Sequence, residues 1–111
     1  MKDLKISKEL LEEVLGYEVD AFLGITENEI DYTCCRDKNI GYEDISINIY
    51  EFAFKCKEWL FNNKIDFTIW TTDKYRFYSE KYHLDIESYT EVELIIKACE
   101  YILGNKENQC T

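Results

Sequence analysis

Apolar side chains recur at helical spacing in three stretches of the chain. The stretches cover residues 8–15, 49–61 and 91–103. In each, the apolar positions fall on one face and charged positions on the other, which is typical of a helix packed on a core. The pattern therefore predicts three amphipathic helices.

Capping residues stand at the ends of these stretches. Ser7, Asn48 and Thr90 precede the three helices, and the last two have a glutamate three residues further on, which is the spacing of a capping box. Gly16 and Gly104 are expected to end the first and third helices, because glycine adopts the left-handed C-cap conformation without strain.

Between the helices the apolar positions alternate with polar ones, which indicates strands. The first pair, 19–26 and 29–36, flanks a short turn at Glu27-Asn28. Further strands are predicted at 42–47, 65–70, 75–78 and 82–86. The expected fold is a single α+β domain over residues 1–111: helix, antiparallel strands, helix, antiparallel strands, helix, with the helices packed on one sheet face.

The second and third helices resemble each other at an offset of 42 residues. Asn48 then aligns with Thr90, and Trp59 with Tyr101. Strands precede both helices, so the pattern fits a duplicated strands-then-helix unit. Convergence on the same capping and stripe pattern explains it equally well.

Composition places the chain among folded proteins. Of 111 residues, 46% are apolar and 15% aromatic, which argues against disorder despite a net charge of −10. No apolar run reaches the ~18 residues of a membrane span. The N-terminus lacks an apolar signal-peptide core. The expected location is the cytoplasm, with no membrane partner.

The five cysteines are expected to be reduced and without metal. Their number is odd and their spacing irregular. Cys34 and Cys35 are adjacent, so on a strand they point to opposite faces and cannot share a zinc ion. Cys56 and Cys99 lie on apolar helical stripes and are expected to be buried, and Cys110 lies near the C-terminus.

No pattern of catalytic residues stands out. His83 is the only histidine, and a Tyr82-His83-Leu84 strand is its expected place. Carboxylate pairs are abundant in so acidic a chain and therefore uninformative. There is no glycine-rich phosphate loop. The sequence favours a non-enzyme without cofactor, and a small enzyme is the remote alternative.

Acidic side chains are concentrated in the N-terminal half. Residues 1–51 hold 13 acidic and 5 basic side chains, a net charge of −8. A basic stripe for nucleic acid is missing, so no direct nucleic-acid binding is expected. A basic protein surface is the complementary partner, although acidity can also serve solubility alone. The candidate partner-binding residues are Glu12, Glu13, Glu27, Glu29, Asp31, Glu43 and Asp44.

Aromatic residues exceed what a core of this size needs. Nine Tyr, six Phe and two Trp are present, and Trp70, Tyr75, Phe77 and Tyr78 crowd one hairpin. Cross-strand pairing would account for them. The alternative is that outward tyrosines anchor a partner.

Four segments resemble a group of small phage and prophage proteins of unassigned function. They are Ile6-Ser7-Lys8-Glu9-Leu10-Leu11, Ile47-Asn48-Ile49-Tyr50-Glu51, Cys56-Lys57-Glu58-Trp59 and Lys97-Ala98-Cys99-Glu100-Tyr101-Ile102-Leu103. The resemblance implies a shared fold. It also implies an accessory role in a bacterial host cell, where such proteins bind and redirect host machinery, as anti-CRISPR and other anti-defence inhibitors do. The alternative is a self-assembling structural domain, a homodimer formed through a sheet face or edge.

Overall fold

A computed structural model describes residues 4–109, with side chains through 105. The elements in chain order are α1 (Lys8–Leu15), β1 (Glu18–Thr26), β2 (Glu29–Asp37), β3 (Gly41–Asn48), α2 (Ile49–Asn62), β4 (Thr68–Thr71), β5 (Tyr75–Ser79), β6 (Leu84–Ser88) and α3 (Glu91–Gln109). The α+β class and the predicted order of helices and antiparallel strands are confirmed. The strands form two three-stranded antiparallel sheets, β1-β2-β3 and β4-β5-β6.

The chain divides into two compact units, Met1–Lys55 and Cys56–Thr111. In the first unit, α1 packs against β1. Its core contains the side chains of Leu10 and Leu11 from α1, with Val19 and Ile30 from the sheet. Burying apolar area of this kind is the main favourable term in folding.

In the second unit, α3 packs against β5 and β6. The buried side chains of Leu94 and Ile96 on α3, and of Phe77 and Leu84 on the strands, belong to its core. Phe67 stacks on Phe77, with the ring centroids 5.2 Å apart. No helix in the described part of the chain is long and apolar enough to cross a membrane.

The predicted N-caps are confirmed. Ser7 Oγ accepts from the Leu10 amide at 3.1 Å, and Thr90 Oγ1 from the Glu93 amide at 3.2 Å. Asn48 Oδ1 accepts from the amides of Tyr50 and Glu51. These contacts satisfy amides that have no partner within the helix.

Three local predictions are wrong. Residues 65–67, predicted as the start of a strand, precede β4, which begins at Thr68. Gly104 does not end α3, which continues to Gln109, because glycine is tolerated inside a helix at modest cost. His83 lies in a turn, not in a strand, with φ of 51°, and β6 begins one residue later. Histidine is among the residues that more readily adopt a positive φ.

The Gly16 cap is as expected. Its φ of 83° is left-handed, and its amide donates to the Glu12 carbonyl at 2.8 Å. A residue with a Cβ would be strained in this left-handed backbone conformation, whereas glycine is not.

Candidate binding surface of the first sheet

The register of β1-β2-β3 sorts its side chains onto two faces. Asp31 lies opposite Gly24 and Ser46, and Thr33 lies opposite Ala21 and Asp44. Directly opposed residues of antiparallel strands point to the same side of the sheet. We call this side the acidic face and define it by Thr26, Glu29, Asp31, Thr33, Asp44 and Ser46.

Hydroxyl groups hold the carboxylates of the acidic face. Thr26 Oγ1 donates to Asp31 Oδ2 at 2.9 Å, and Ser46 Oγ donates to Asp31 Oδ1 at 2.6 Å. Thr33 Oγ1 donates to Asp44 Oδ1 at 2.7 Å. Such hydrogen bonds fix the orientation of a carboxylate.

Charge on this face is held in place without being neutralised. Among the described residues, no lysine or arginine forms an ion pair with Glu29, Asp31 or Asp44. Elsewhere the chain does use such pairs, as between Glu87 and Lys74 at 3.2 Å. The acidic face therefore presents oriented, uncompensated negative charge.

Exposed apolar side chains accompany the charge in the same unit. Tyr42 is 57% exposed and donates its hydroxyl to Glu18 Oε1 at 3.1 Å. This bond raises the pKa of Tyr42 above its ordinary value. Leu23 is 56% exposed in the irregular part of β1. Tyrosine beside polar groups is a common feature of protein interfaces.

The opposite face of the sheet is apolar at its centre. Tyr32 is buried, stacks on Tyr17, and shares a hydroxyl hydrogen bond of 2.5 Å with it. Burial, followed by this bond, raises the pKa of Tyr32 far above its ordinary value. At the far end, Arg36 and Glu43 form an ion pair at 3.4 Å.

A cleft of about 530 Å³ lies beside β3, and both faces of the sheet contribute to its lining: Tyr32 and Ile45 from the apolar face, Glu29 and Ser46 from the acidic face. Leu15, Tyr17 and Tyr32 contribute to its lining, and Glu51 and Lys55, one helical turn apart on α2, contribute polar groups. Residues 45–48 of β3 also line it. Since successive side chains point to opposite faces, a cleft that meets four consecutive residues runs along the edge of the strand.

The structure brings together only part of the predicted carboxylate set. Glu29, Asp31 and Asp44 share the acidic face, and the exposed Glu27 occupies the adjoining turn with φ of 56°. Glu43 lies opposite the buried Cys34, on the apolar side.

The two carboxylates on α1 are set apart from the acidic face. Glu12 is half-buried, and its Oε1 accepts from the Val19 amide at 3.0 Å. Glu13 is exposed and lines a shallow depression with Gly16 and Glu18. Both lie in the last turn of α1, next to the segment that joins it to β1.

Sequence reasoning missed the hydroxyl partners of the carboxylates. The two-residue Glu27-Asn28 turn fixes the β1–β2 register, so it could have placed Thr26 within reach of Asp31. The contacts of Ser46 and Thr33 depend on the β2–β3 register. That register could not be predicted from the sequence, because the pairing of β2 with β3 is irregular between Cys34 and Asp37.

The structure confirms that Cys56 and Cys99 are buried and that Cys34 and Cys35 lie on opposite faces of β2. Cys34, Cys35, Cys56 and Cys99 are free thiols, with Cys34 buried and Cys35 half-buried on the other face. Cys110 lies outside the described residues. In the described part of the chain, no group of three or more His, Cys, Asp or Glu side chains is placed to hold a metal ion.

Comparison with known proteins finds no relatives. No family model, no curated protein and no solved structure matches the chain.

Proposed function

We propose that the protein is a small acidic binding module whose acidic face engages a basic surface of another protein. The observation that carries this proposal is the way in which Asp31 and Asp44 are held. Their carboxylates are oriented by neutral hydroxyls, which bring no opposite charge to the acidic face. Preorganised charge steers encounter and selects a partner of complementary charge.

The biological setting proposed is that of a phage-type accessory protein in the bacterial host cytoplasm. It would modulate or inhibit a host protein, such as a nucleic-acid-handling defence complex, in the manner of an anti-CRISPR protein. Enzymes that handle nucleic acids carry basic surfaces, and an acidic module can cover such a surface. This setting rests on the segments that resemble phage proteins, and it assigns no catalytic role to the chain.

Matched charge variants test the binding proposal. Glu29→Gln, Asp31→Asn and Asp44→Asn together remove three charges from the acidic face while keeping similar side-chain shapes. Asp66→Asn, Glu80→Gln and Asp85→Asn remove the same number from exposed positions of the second unit. Both triple variants have the same net charge, so a difference between them reports position.

The readout is quantitative capture from nuclease-treated bacterial lysate on immobilised protein. We expect specific basic proteins to be retained by wild type and by the second-unit variant, and lost from the acidic-face variant. Equal retention by all three would contradict the proposal. So would capture that occurs only from a parallel lysate without nuclease treatment, because it would point to nucleic acid.

Self-association is a second candidate, favoured by exposed aromatic residues on α2. Tyr50 and Phe54 lie one helical turn apart and are 54% and 64% exposed. Exposed apolar side chains on one helix face are typical of an interface. Sedimentation of wild type and Phe54→Glu across protein concentration tests it: a dimer that the substitution dissociates supports this candidate, and a wild-type monomer excludes it.

A further inference from the structure

Within residues 4–109, strand β3 has one edge that no other strand covers. In the described part of the chain it pairs through its backbone with no strand except β2. The Ile49 amide donates to the Asn28 carbonyl at 2.7 Å, which makes residues 28 and 49 a hydrogen-bonded pair. Such pairs alternate along an antiparallel ladder. With the β2–β3 register, the backbone N–H and C=O groups of Asp44 and Ser46 therefore point away from β2.

This edge lacks three of the features that prevent pairing, although it carries the charged residues Glu43 and Asp44. Proteins protect sheet edges with proline, lysine or bulges. The other edge strand, β1, has register shifts between Val19 and Ala21 and between Phe22 and Gly24. Strand β3 contains neither proline nor lysine, and its register with β2 is unbroken from Asn48 to Glu43. Asp44 and Ser46 are exposed. The edge is thus regular and open.

The surroundings of the edge differ on its two sides. On one side lies the acidic face, with Asp31 and Asp44. On the other lies the apolar part of the cleft, which Tyr17, Tyr32 and Ile45 help to line. A strand added along β3 would point alternate side chains to these two sides. Residues opposite Asp44 and Ser46 would meet carboxylates, and residues opposite Ile45 and Ile47 would meet the cleft.

We infer that β3 is a docking edge for an extended segment of the partner, which joins the sheet as a fourth, antiparallel strand with alternating basic and apolar residues. This inference rests on the proposed function and names the form in which the basic partner binds. Main-chain hydrogen bonds supply affinity in this mode, and alternate side chains supply specificity. A second copy of the chain fits less well, because it would bring a second set of carboxylates beside the first.

A synthetic peptide serves as the probe: a blocked octapeptide of alternating Lys and Val, with an alternating Glu and Val peptide as the charge control. Ser46→Pro removes the outward amide while leaving the ladder to β2 intact, as proline is accepted on strand edges. Ser46→Ala is the matched control, because it removes the hydroxyl bond to Asp31 and keeps the amide. We expect Ser46→Pro to weaken peptide binding by about tenfold or more, and Ser46→Ala by about threefold or less, as measured by calorimetry.

N-methylated peptides test the same inference on the unaltered protein. In antiparallel pairing, the peptide residues opposite Asp44 and Ser46 donate their amides to β3, and these are the Lys positions. Methylating the Lys amides should abolish binding, and methylating the Val amides should not. Equal binding of the two methylated peptides, or the opposite order, would overturn the inference.

The outcomes separate the docking edge from the proposed function. If the acidic-face variant loses the Lys-Val peptide while Ser46→Pro and Ser46→Ala bind it alike, the face binds basic partners without strand addition. The inference then fails and the proposed function stands. If the Lys-Val and Glu-Val peptides bind equally to wild type and to the acidic-face variant, both fail.

Discussion

The hydroxyl pair of Tyr17 and Tyr32 places a weak acid in the core of the first sheet. Burial raises the pKa of Tyr32, so folding favours its neutral form. The sign follows from linkage: this contribution is fully present below the ordinary tyrosine pKa of about 10 and is lost as pH rises toward the folded value. The first sheet should therefore lose stability in alkaline solution.

Replacing Tyr32 by Phe isolates this effect. We expect Tyr32→Phe to lower the free energy of unfolding by about 1 kcal/mol at pH 7, because one hydrogen bond is lost. Above pH 10 the difference from wild type should shrink or reverse. Urea unfolding at both pH values measures it, with Tyr50→Phe as the control, since Tyr50 is exposed. A difference that does not change with pH would contradict the account.

Cys56 and Cys99 show what a helical stripe predicts correctly. Both are fully buried, as expected from the sequence. Their contact, in which the Cys99 thiol donates to the Cys56 carbonyl at 3.7 Å, could not be predicted, because it depends on how α2 and α3 pack. Burial, followed by this neighbour, raises the pKa of the Cys56 thiol well above its ordinary value.

Substitution by aspartate tests that burial. Cys56→Asp or Cys99→Asp should lower the free energy of unfolding by about 3 kcal/mol or more, since each buries a charge with no partner. Cys56→Ala should cost about 1 kcal/mol, because it removes only a small apolar group. Urea unfolding at pH 7 compares them, and Asp variants as stable as the Ala variant would show that neither site is buried.

At the scale of elements, the sequence predicts what is local and misses what is not. Side-chain periodicity and caps located all three helices and the β1–β2 hairpin, because these depend on neighbouring residues. The end of α3 and the turn at His83 were missed. Gly104 and His83 can each adopt more than one backbone conformation. Packing against residues distant in sequence selects among these conformations.

Alanine substitutions at Gly16 and Gly104 distinguish a glycine that ends a helix from one inside a helix. Gly104 lies within α3, with no atom within 4 Å of an added Cβ. Gly104→Ala should therefore raise the free energy of unfolding by up to about 1 kcal/mol. Gly16→Ala should lower it by about 1 kcal/mol, because its φ of 83° strains a side chain. Thermal or urea unfolding gives both values, and a destabilising Gly104→Ala would restore Gly104 as the helix end.

At the scale of the whole molecule, sequence predicted an acidic N-terminal half but not its arrangement. Net charge is a matter of counting. Which carboxylates share a surface depends on strand register, and a shift of one residue would exchange the two faces. Register placed Asp31 and Asp44 on the acidic face and Glu43 on the other side. The duplication suggested by the similarity of α2 and α3 at an offset of 42 residues stays a hypothesis. Three antiparallel strands precede each of the two helices.

The most direct test of the central claim, that the acidic face binds a basic protein, is the association rate as a function of salt. It uses a partner captured by the wild-type protein. Wild type and the second-unit triple variant should associate fast at low ionic strength and more slowly as salt shortens electrostatic reach to about 8 Å near 0.15 M. The acidic-face triple variant should associate more slowly at low salt and depend less on salt. Identical salt dependence of the two variants, or association of wild type that does not respond to salt, would contradict the claim.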